Sequence, residues 1–267
     1  MSMPEGDTIY RAAMSLRKVL PDQEIVAAKS PRGMVDAESL VGQVTSRIEA
    51  RGKHLLMFLD DDRVIHSHMG MTGSWHIYPA GTPYNKPAKW AGLILELAEF
   101  HVVCFSPKIL ELLTPTQFRR HEFLRRLGPD LLAPEIDWED VLQRFRVHNP
   151  TPLGEAIMNQ TIVCGAGNVY KSEVLFLCGL SPFQTVGSIT DDELIAFLKR
   201  CRSLMRRNLD GAPRRTRFSG QGHRLWVYNR RGEECLKCGE TIQMKRQGDL
   251  GRSTYFCPEC QGVEVRV

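Results

Sequence analysis

The sequence predicts an α+β protein of several domains, with a β-rich N-terminal region, a helical middle and a short cysteine module near the end. Three patterns predict this. Apolar residues alternate in short runs between Glu24 and about Thr114, the period of half-buried strands. Beyond Trp138 they recur at helical spacing. Four cysteines then form two Cys-x2-Cys pairs, a metal-ligand spacing. At 267 residues the chain has room for two domains and a third small module.

The first element is a helix. "DTIYRAAMSLRKVL" places Ile9, Ala12, Ala13, Leu16, Val19 and Leu20 on one face, with Asp7 or Thr8 as N-cap and Pro21 as stop. Pro4, Glu5 and Gly6 lead into its positive dipole end, where anions are favoured. Strands follow. "HLLMFL" and "RVIHSH" flank Asp60-Asp61-Asp62 as a hairpin, and "AGLILELAEFHVVCFS" repeats the arrangement with a turn near Glu99. The three aspartates read as a solvated hairpin tip. His54, His66, His68 and His76 have no recognisable ligand spacing and strand alternation accounts for them, so no metal site is expected there.

"RRLGPDLLAPEIDW", with Gly128, Pro129 and Pro134, reads as a linker. Helical patterns follow in "DWEDVLQRFRV", "PLGEAIMNQTIVCGAGNVYKSEVLFLCGL" and "TDDELIAFLKRCRSLMRRNL". The second splits at Gly165-Ala166-Gly167 into an apolar helix and a helix capped by Asn168. Such an N-terminus is a ready phosphate site, although a packing glycine pair explains the spacing equally well. The Gly-Lys-Ser/Thr ending of a nucleotide-binding loop is missing, so no nucleotide cofactor is expected.

In the cysteine module, Cys235 and Cys238 are separated by eighteen residues from Cys257 and Cys260. Each pair places two thiolates on one metal, and four close a tetrahedral structural Zn2+ site with no open position. Between the pairs, "ETIQMKR" and "STYFC" read as antiparallel strands joined by "QGDLG", with Arg252 just past the turn. So little apolar content requires such a staple.

Net charge is only +4, but residues 199–232 carry eleven Lys/Arg against the single acid Asp210. That density points to a polyanion partner. No apolar run of about 18 residues and no signal-peptide pattern occur, so a cytoplasmic protein without membrane association is expected. Cys104, Cys164, Cys178 and Cys201 are scattered singly and read as reduced and mostly buried.

"PEGDTIYRAA", "ARGKHLL", "HSHMGMTGSW", "GAGNVYKSEVLF", "LWVYNRRGEECLKCG" and "GRSTYFCPEC", in this order, resemble the formamidopyrimidine-DNA glycosylase/endonuclease VIII family. The "PEGDT" opening is more similar to the endonuclease VIII branch. The resemblance implies an N-terminal β-sandwich catalytic domain with a leading helix (1–128), a helix–two-turn–helix DNA-binding domain (135–232) and a zinc-finger β-hairpin (233–262). It also implies a bifunctional glycosylase and AP lyase that removes oxidised bases, pyrimidines by its branch, from damaged DNA, as a monomer in the bacterial cytosol or nucleoid.

Carried over by position, Pro4 is the nucleophile, Glu5 the acid/base carboxylate and Lys53 a phosphate-holding lysine near the lesion. Asn168 and Arg252 are further phosphate clamps, and Met71 is the apolar wedge that fills the gap left by an extruded base. Thr8 stands where the formamidopyrimidine branch has a second glutamate, which sets purine specificity in doubt, although that branch remains the alternative. "APRRTRFSGQGHRLWVY" occupies the place of the lesion-facing loop and allows no mapping of base contacts. With Met1-Ser2-Met3 attached, Pro4 has no free amine. The residues are then expected to be absent from working enzyme, and a chain that keeps them would be a non-catalytic DNA-binding zinc protein.

Overall fold

The computed structural model describes residues 3–219 and 221–264. They form two compact units, divided between Arg126 and Leu127.

The first unit begins with α1 (Gly6–Leu16), followed by β1 (Ala27–Lys29), β2 (Thr45–Arg51), β3 (His54–Leu59), β4 (Val64–His68), β5 (Ser74–Pro79), β6 (Ala91–Glu96), β7 (Phe100–Phe105) and β8 (Ile109–Leu113). Two short helices, α2 (Pro115–Arg120) and α3 (Glu122–Arg125), close it. The strands make two antiparallel four-stranded sheets, ordered β2-β3-β4-β8 and β1-β6-β7-β5. Both expected hairpins are present, β3–β4 across the three aspartates and β6–β7 across Glu99.

Strand alternation decides what each sheet faces. Leu55, Met57 and Leu59 of β3 meet Ile65, Leu93, Leu95, Val102 and Cys104 in one core, which also takes Ile9, Ala13 and Leu16 from α1. Each Leu, Ile, Val or Met among them contributes about 1.5–3 kcal/mol by leaving water. The alternate residues of the first sheet are covered by α2 and α3. Phe58 meets Phe118 edge-on, His54 lies against Phe123, and His66 against His121. Helix α1 departs from expectation at both ends. Its N-cap is Glu5, with no side-chain cap bond, and it ends at Leu16, so Val19 and the fully buried Leu20 lie in the turns beyond.

The second unit contains α4 (Trp138–Arg146), α5 (Leu153–Ala156), α6 (Asn168–Cys178), α7 (Asp191–Arg207), β9 (Gln243–Gln247), β10 (Arg252–Phe256) and α8 (Pro258–Gln261). Asp137 caps α4 by accepting the amides of Glu139 and Asp140 at 2.9 and 3.1 Å. Thr190 and Glu193 form a capping box on α7. The expected linker is instead packed: Leu131 is fully buried, and its amide donates to the Cys164 carbonyl at 3.1 Å. Gly128 is required there, because a Cβ would stand 2.4 Å from the Ile162 carbonyl oxygen. The apolar helix expected before Gly165 shrinks to the four residues of α5, and 157–167 is irregular.

Helix α6 is buried from Asn168 to Phe176, and β10 packs against it. The basic stretch serves partly as structure. Arg230, 5% exposed, donates to the carbonyls of Trp226 and Glu234 and pairs with Glu233, while Arg202 donates to the carbonyls of Ala133 and Pro134.

Candidate functional site

At the start of the first unit Pro4 is half-buried, and Glu5 is only 1% exposed. The Glu5 carbonyl accepts the amides of Thr8 and Ile9 at 2.9 and 3.2 Å, the first bonds of α1. Glu5 is thus withdrawn from water, next in sequence to Pro4 and at the positive end of α1. Met1 and Ser2 lie outside the described residues, and with them the expectation about residues that precede Pro4.

Lys53 occupies the second position of a two-residue hairpin turn between Arg51 and His54, which pair directly. Gly52 fills the first position with φ +58°, where a side chain would be strained. His54 and His68 lie within electrostatic reach of Lys53. Burial first, then its neighbours His68, His66, His121 and Lys53, lower the His54 pKa to about 2. Burial, then Lys53, Lys108 and His66, lower that of His68 to about 4. Both rings are therefore neutral at any working pH.

A chain of hydrogen bonds runs behind the turn. His54 Nδ1 meets His66 Nε2 at 2.8 Å, His66 Nδ1 meets Glu111 Oε2 at 2.8 Å, and His121 Nε2 reaches the same oxygen at 3.2 Å. The donor atoms of His66, Glu111 and His121 fall within 4.8 Å of one another, a possible metal-ligand grouping where the strand pattern promised none. No spacing could reveal it, because the three residues come from β4, β8 and the junction of α2 and α3.

Met71 is 71% exposed on the loop after β4, so it is not a core methionine. The loop is tight there: a Cβ on Gly73 would stand 2.6 Å from the Met69 carbonyl oxygen.

In the second unit, Gly167 rather than Asn168 is the N-cap of α6. Asn168 is the first helical residue, 5% exposed, and its Nδ2 donates to the Ser253 carbonyl at 2.7 Å. Its Oδ1 is buried with no hydrogen-bond partner among the described residues. Lys171, 1% exposed, donates to Thr254 Oγ1 at 2.7 Å and to the Ser253 carbonyl at 3.3 Å. Two polar side chains of α6 thus hold the strand that begins at Arg252. Arg252 and Lys171 both line a cavity of about 350 Å3, together with Asn159 and Gln247. The sequence shows Lys171 only as an ordinary helix lysine.

Glu173, also missed, is fully buried. It accepts the amides of Trp226, Val227 and Tyr228 at 2.7–2.8 Å and the Thr216 hydroxyl. It ties together the two ends of the segment expected to face the lesion. Burial raises its pKa against the pull of these donors. A single acid inside "VYKSEVLF" was the only available signal.

The four module cysteines converge. Sγ–Sγ distances are 3.4 Å for Cys238–Cys257, 3.5 Å for Cys238–Cys260 and 3.9 Å for Cys235–Cys260. A tetrahedral zinc with Zn–S near 2.3 Å spaces its sulfurs by about 3.8 Å, so the donor set fits the ion. The Lys237 amide donates to Cys235 Sγ at 3.4 Å, an outer bond typical of thiolate ligands. Gln261 links the cluster to the turn after α6, accepting the Cys257 amide at 2.9 Å and donating to the Leu180 carbonyl at 2.8 Å.

Comparison with known proteins agrees along the chain. Residues 3–108 match the formamidopyrimidine-DNA glycosylase N-terminal domain, 127–218 its H2TH domain, and 232–263 a zinc finger found in FPG and IleRS. A probable endonuclease 8 2 of Streptomyces coelicolor is 35% identical over 262 residues, covering 97% of this chain and 94% of that protein. The DNA-(apurinic or apyrimidinic site) lyase Nei2 of Mycolicibacterium smegmatis is 34% identical, covering 97% and 99%. The fold is similar to that of Lactococcus lactis formamidopyrimidine DNA glycosylase, crystallised non-covalently bound to AP-site DNA, with TM-score 0.79, 24% identity and coverage of 96% and 99%. Zinc therefore belongs to the cysteine cluster, and the chain belongs to the formamidopyrimidine-DNA glycosylase/endonuclease VIII family.

Proposed function

We propose that this chain is a base-excision-repair DNA glycosylase and AP lyase that removes oxidised pyrimidines, with Pro4 as nucleophile. The observation that carries the reading is Pro4 immediately before a buried Glu5 at a helix start, in a chain about a third identical over 97% of its length to proteins named endonuclease 8 2. The neutral Pro4 amine attacks C1′ of the damaged nucleotide and the base departs with a proton. Glu5 delivers a proton to the sugar ring oxygen as the ring opens, leaving an iminium between Pro4 and C1′. The cation acidifies C2′, so loss of that proton expels the 3′ phosphate, and a second elimination expels the 5′ phosphate. An N-terminal amine suits this work because its ordinary pKa near 8 leaves a reactive fraction unprotonated at neutral pH.

Lys53 in the first unit, and Asn168 and Arg252 in the second, are assigned to DNA phosphates, and the exposed Met71 to the gap left by the extruded base. Zinc, when bound, supplies only structure, holding the hairpin that carries Arg252. The domains follow as 1–128 catalytic, 135–232 helical and 233–262 zinc finger, the last two within one compact unit. The protein is assigned as a cytoplasmic monomer; no helix among the described residues is long and apolar enough to cross a membrane.

Borohydride reduces an iminium to a stable amine. A chain whose first residue is Pro4 is expected to trap covalently on a thymine glycol duplex. The same chain with residues 1–3 attached is not. Failure of verified free Pro4 to trap refutes the mechanism. Faster turnover of 8-oxoguanine than of thymine glycol would move the enzyme to the purine branch. Arg252→Ala is expected to lower the salt dependence of binding by about one phosphate contact.

A further inference from the structure

We infer that Glu111, His66 and His54 are positioning residues for Lys53: their hydrogen-bond chain locks the histidine that closes the Lys53 turn and so aims the lysine at a DNA phosphate. The inference rests on the phosphate role proposed for Lys53.

The chain has one consistent proton assignment. The bonds from His66 and His121 hold the Glu111 carboxyl below its ordinary range despite the upward push of burial, so it is ionised and only accepts. It takes the Nδ1–H of His66 and the Nε2–H of His121. His121 agrees, because its Nδ1 accepts the Leu124 amide at 3.2 Å and so carries no proton. Burial keeps the His66 ring neutral against the pull of Glu111, which leaves its Nε2 as an acceptor for the Nδ1–H of His54. His54 thus ends the chain with its Nε2 unprotonated.

Packing holds the same ring. His54 stacks on His66 with centroids 5.0 Å apart, and is flanked by His68 at 4.8 Å and Phe123 at 5.2 Å. His68 is fixed in turn, its Nδ1 accepting the Gly70 amide at 3.1 Å. His54 is one peptide bond from Lys53 and is paired with Arg51 and His68 across its two neighbouring strands. A locked His54 therefore fixes the exit direction of the turn. Because both neighbouring rings are neutral, neither repels the Lys53 ammonium, and both can approach it closely.

A metal is the competing reading of the same atoms, since His66, Glu111 and His121 form a donor set of two imidazoles and one carboxylate. Ligation through His121 Nε2 would place a proton on Nδ1, facing the Leu124 N–H at 3.2 Å, donor against donor. The hydrogen-bond chain has no such conflict.

The test is a double-mutant cycle read by damaged-duplex binding as a function of salt. Lys53→Ala should weaken binding and reduce the slope of log K against log salt by about 0.9, one phosphate contact. Glu111→Gln should weaken binding by about threefold or more and reproduce part of that change in slope. In the Lys53→Ala background it should add less than about twofold. Equal effects of Glu111→Gln in both backgrounds, or an unchanged slope in that variant alone, overturn the inference. An unchanged slope in Lys53→Ala instead overturns the phosphate reading of Lys53. If Glu111→Gln does not fold, ring-nitrogen NMR of the unmodified protein decides: protonated Nδ1 and bare Nε2 on both His54 and His66 support the chain, and the opposite tautomer on either refutes it. A second zinc per chain that disappears in His121→Ala also refutes it.

Discussion

Two hairpins each carry a cation in or beside the turn, Lys53 and Arg252, and they are secured by unlike means. The β2–β3 hairpin, with Lys53 in its turn, belongs to a four-stranded sheet with an apolar core on one face and aromatic and histidine rings on the other. The β9–β10 hairpin, with Arg252 beside its turn, is a sheet of two strands. Two strands alone are marginal in water. A small apolar cluster around Ile242, Phe176 and Val227, thiolates at one end, and Lys171, Asn168 and Ser172 along β10 supply what further strands would give. A hairpin can thus be held either by strand neighbours or by a metal and buried polar bonds, and the second arrangement is expected to fail more abruptly.

The largest expected effect is loss of zinc. A structural zinc contributes on the order of 10 kcal/mol of folding free energy, so chelation or Cys257→Ala should melt the β9–β10 hairpin and weaken DNA binding by about a hundredfold or more. Hydrogen exchange in β3 and β4 should not change. A β9–β10 hairpin that survives chelation would end the contrast.

Acid should act the other way, on the first unit. His54, His66 and His68 all titrate below their ordinary value when folded, so the unfolded chain takes up protons first as pH falls. Their contribution to stability is complete above about pH 6.5 and is lost below it, with His54 alone removing about 1.4 kcal/mol per pH unit. Exchange of the β3 and β4 amides between pH 7 and pH 5 measures this, and His54→Gln should flatten the dependence.

Smaller changes sharpen the comparison. Thr254 accepts from Lys171 at 2.7 Å and donates to Gln247 Oε1 at 2.9 Å while wholly buried. Thr254→Val keeps the shape, removes both of these buried bonds, and should cost about 1–3 kcal/mol in thermal denaturation of the second unit. Gly52→Ala, at φ +58°, should cost about 1 kcal/mol in the first unit and raise KM for damaged DNA more than it lowers kcat.

Features local in the chain were legible. Alternation revealed the hairpins, and two Cys-x2-Cys pairs revealed the metal, because a knuckle needs its two ligands close in sequence. Errors arose where tertiary contacts outweighed local preference. Asn168 is a good N-cap by residue type, but its amide is drawn to Ser253 and Gly167 caps the helix. The glycine- and proline-rich stretch after Arg126 has linker composition, yet it is packed through Leu131 and Gly128.

By itself, the sequence determined the strand and helix periods, the zinc ligands, the basic surplus and the Pro4-Glu5 pair, since each depends on residues near one another along the chain. Only the tertiary structure decided that Glu5 is buried, that Lys171 and Asn168 hold the Arg252 strand, and that His66 and His121 meet on Glu111 with His54 behind His66. The physical reason is register: which side chains touch across strands depends on pairing and on what covers the sheet, and neither leaves a period in the sequence.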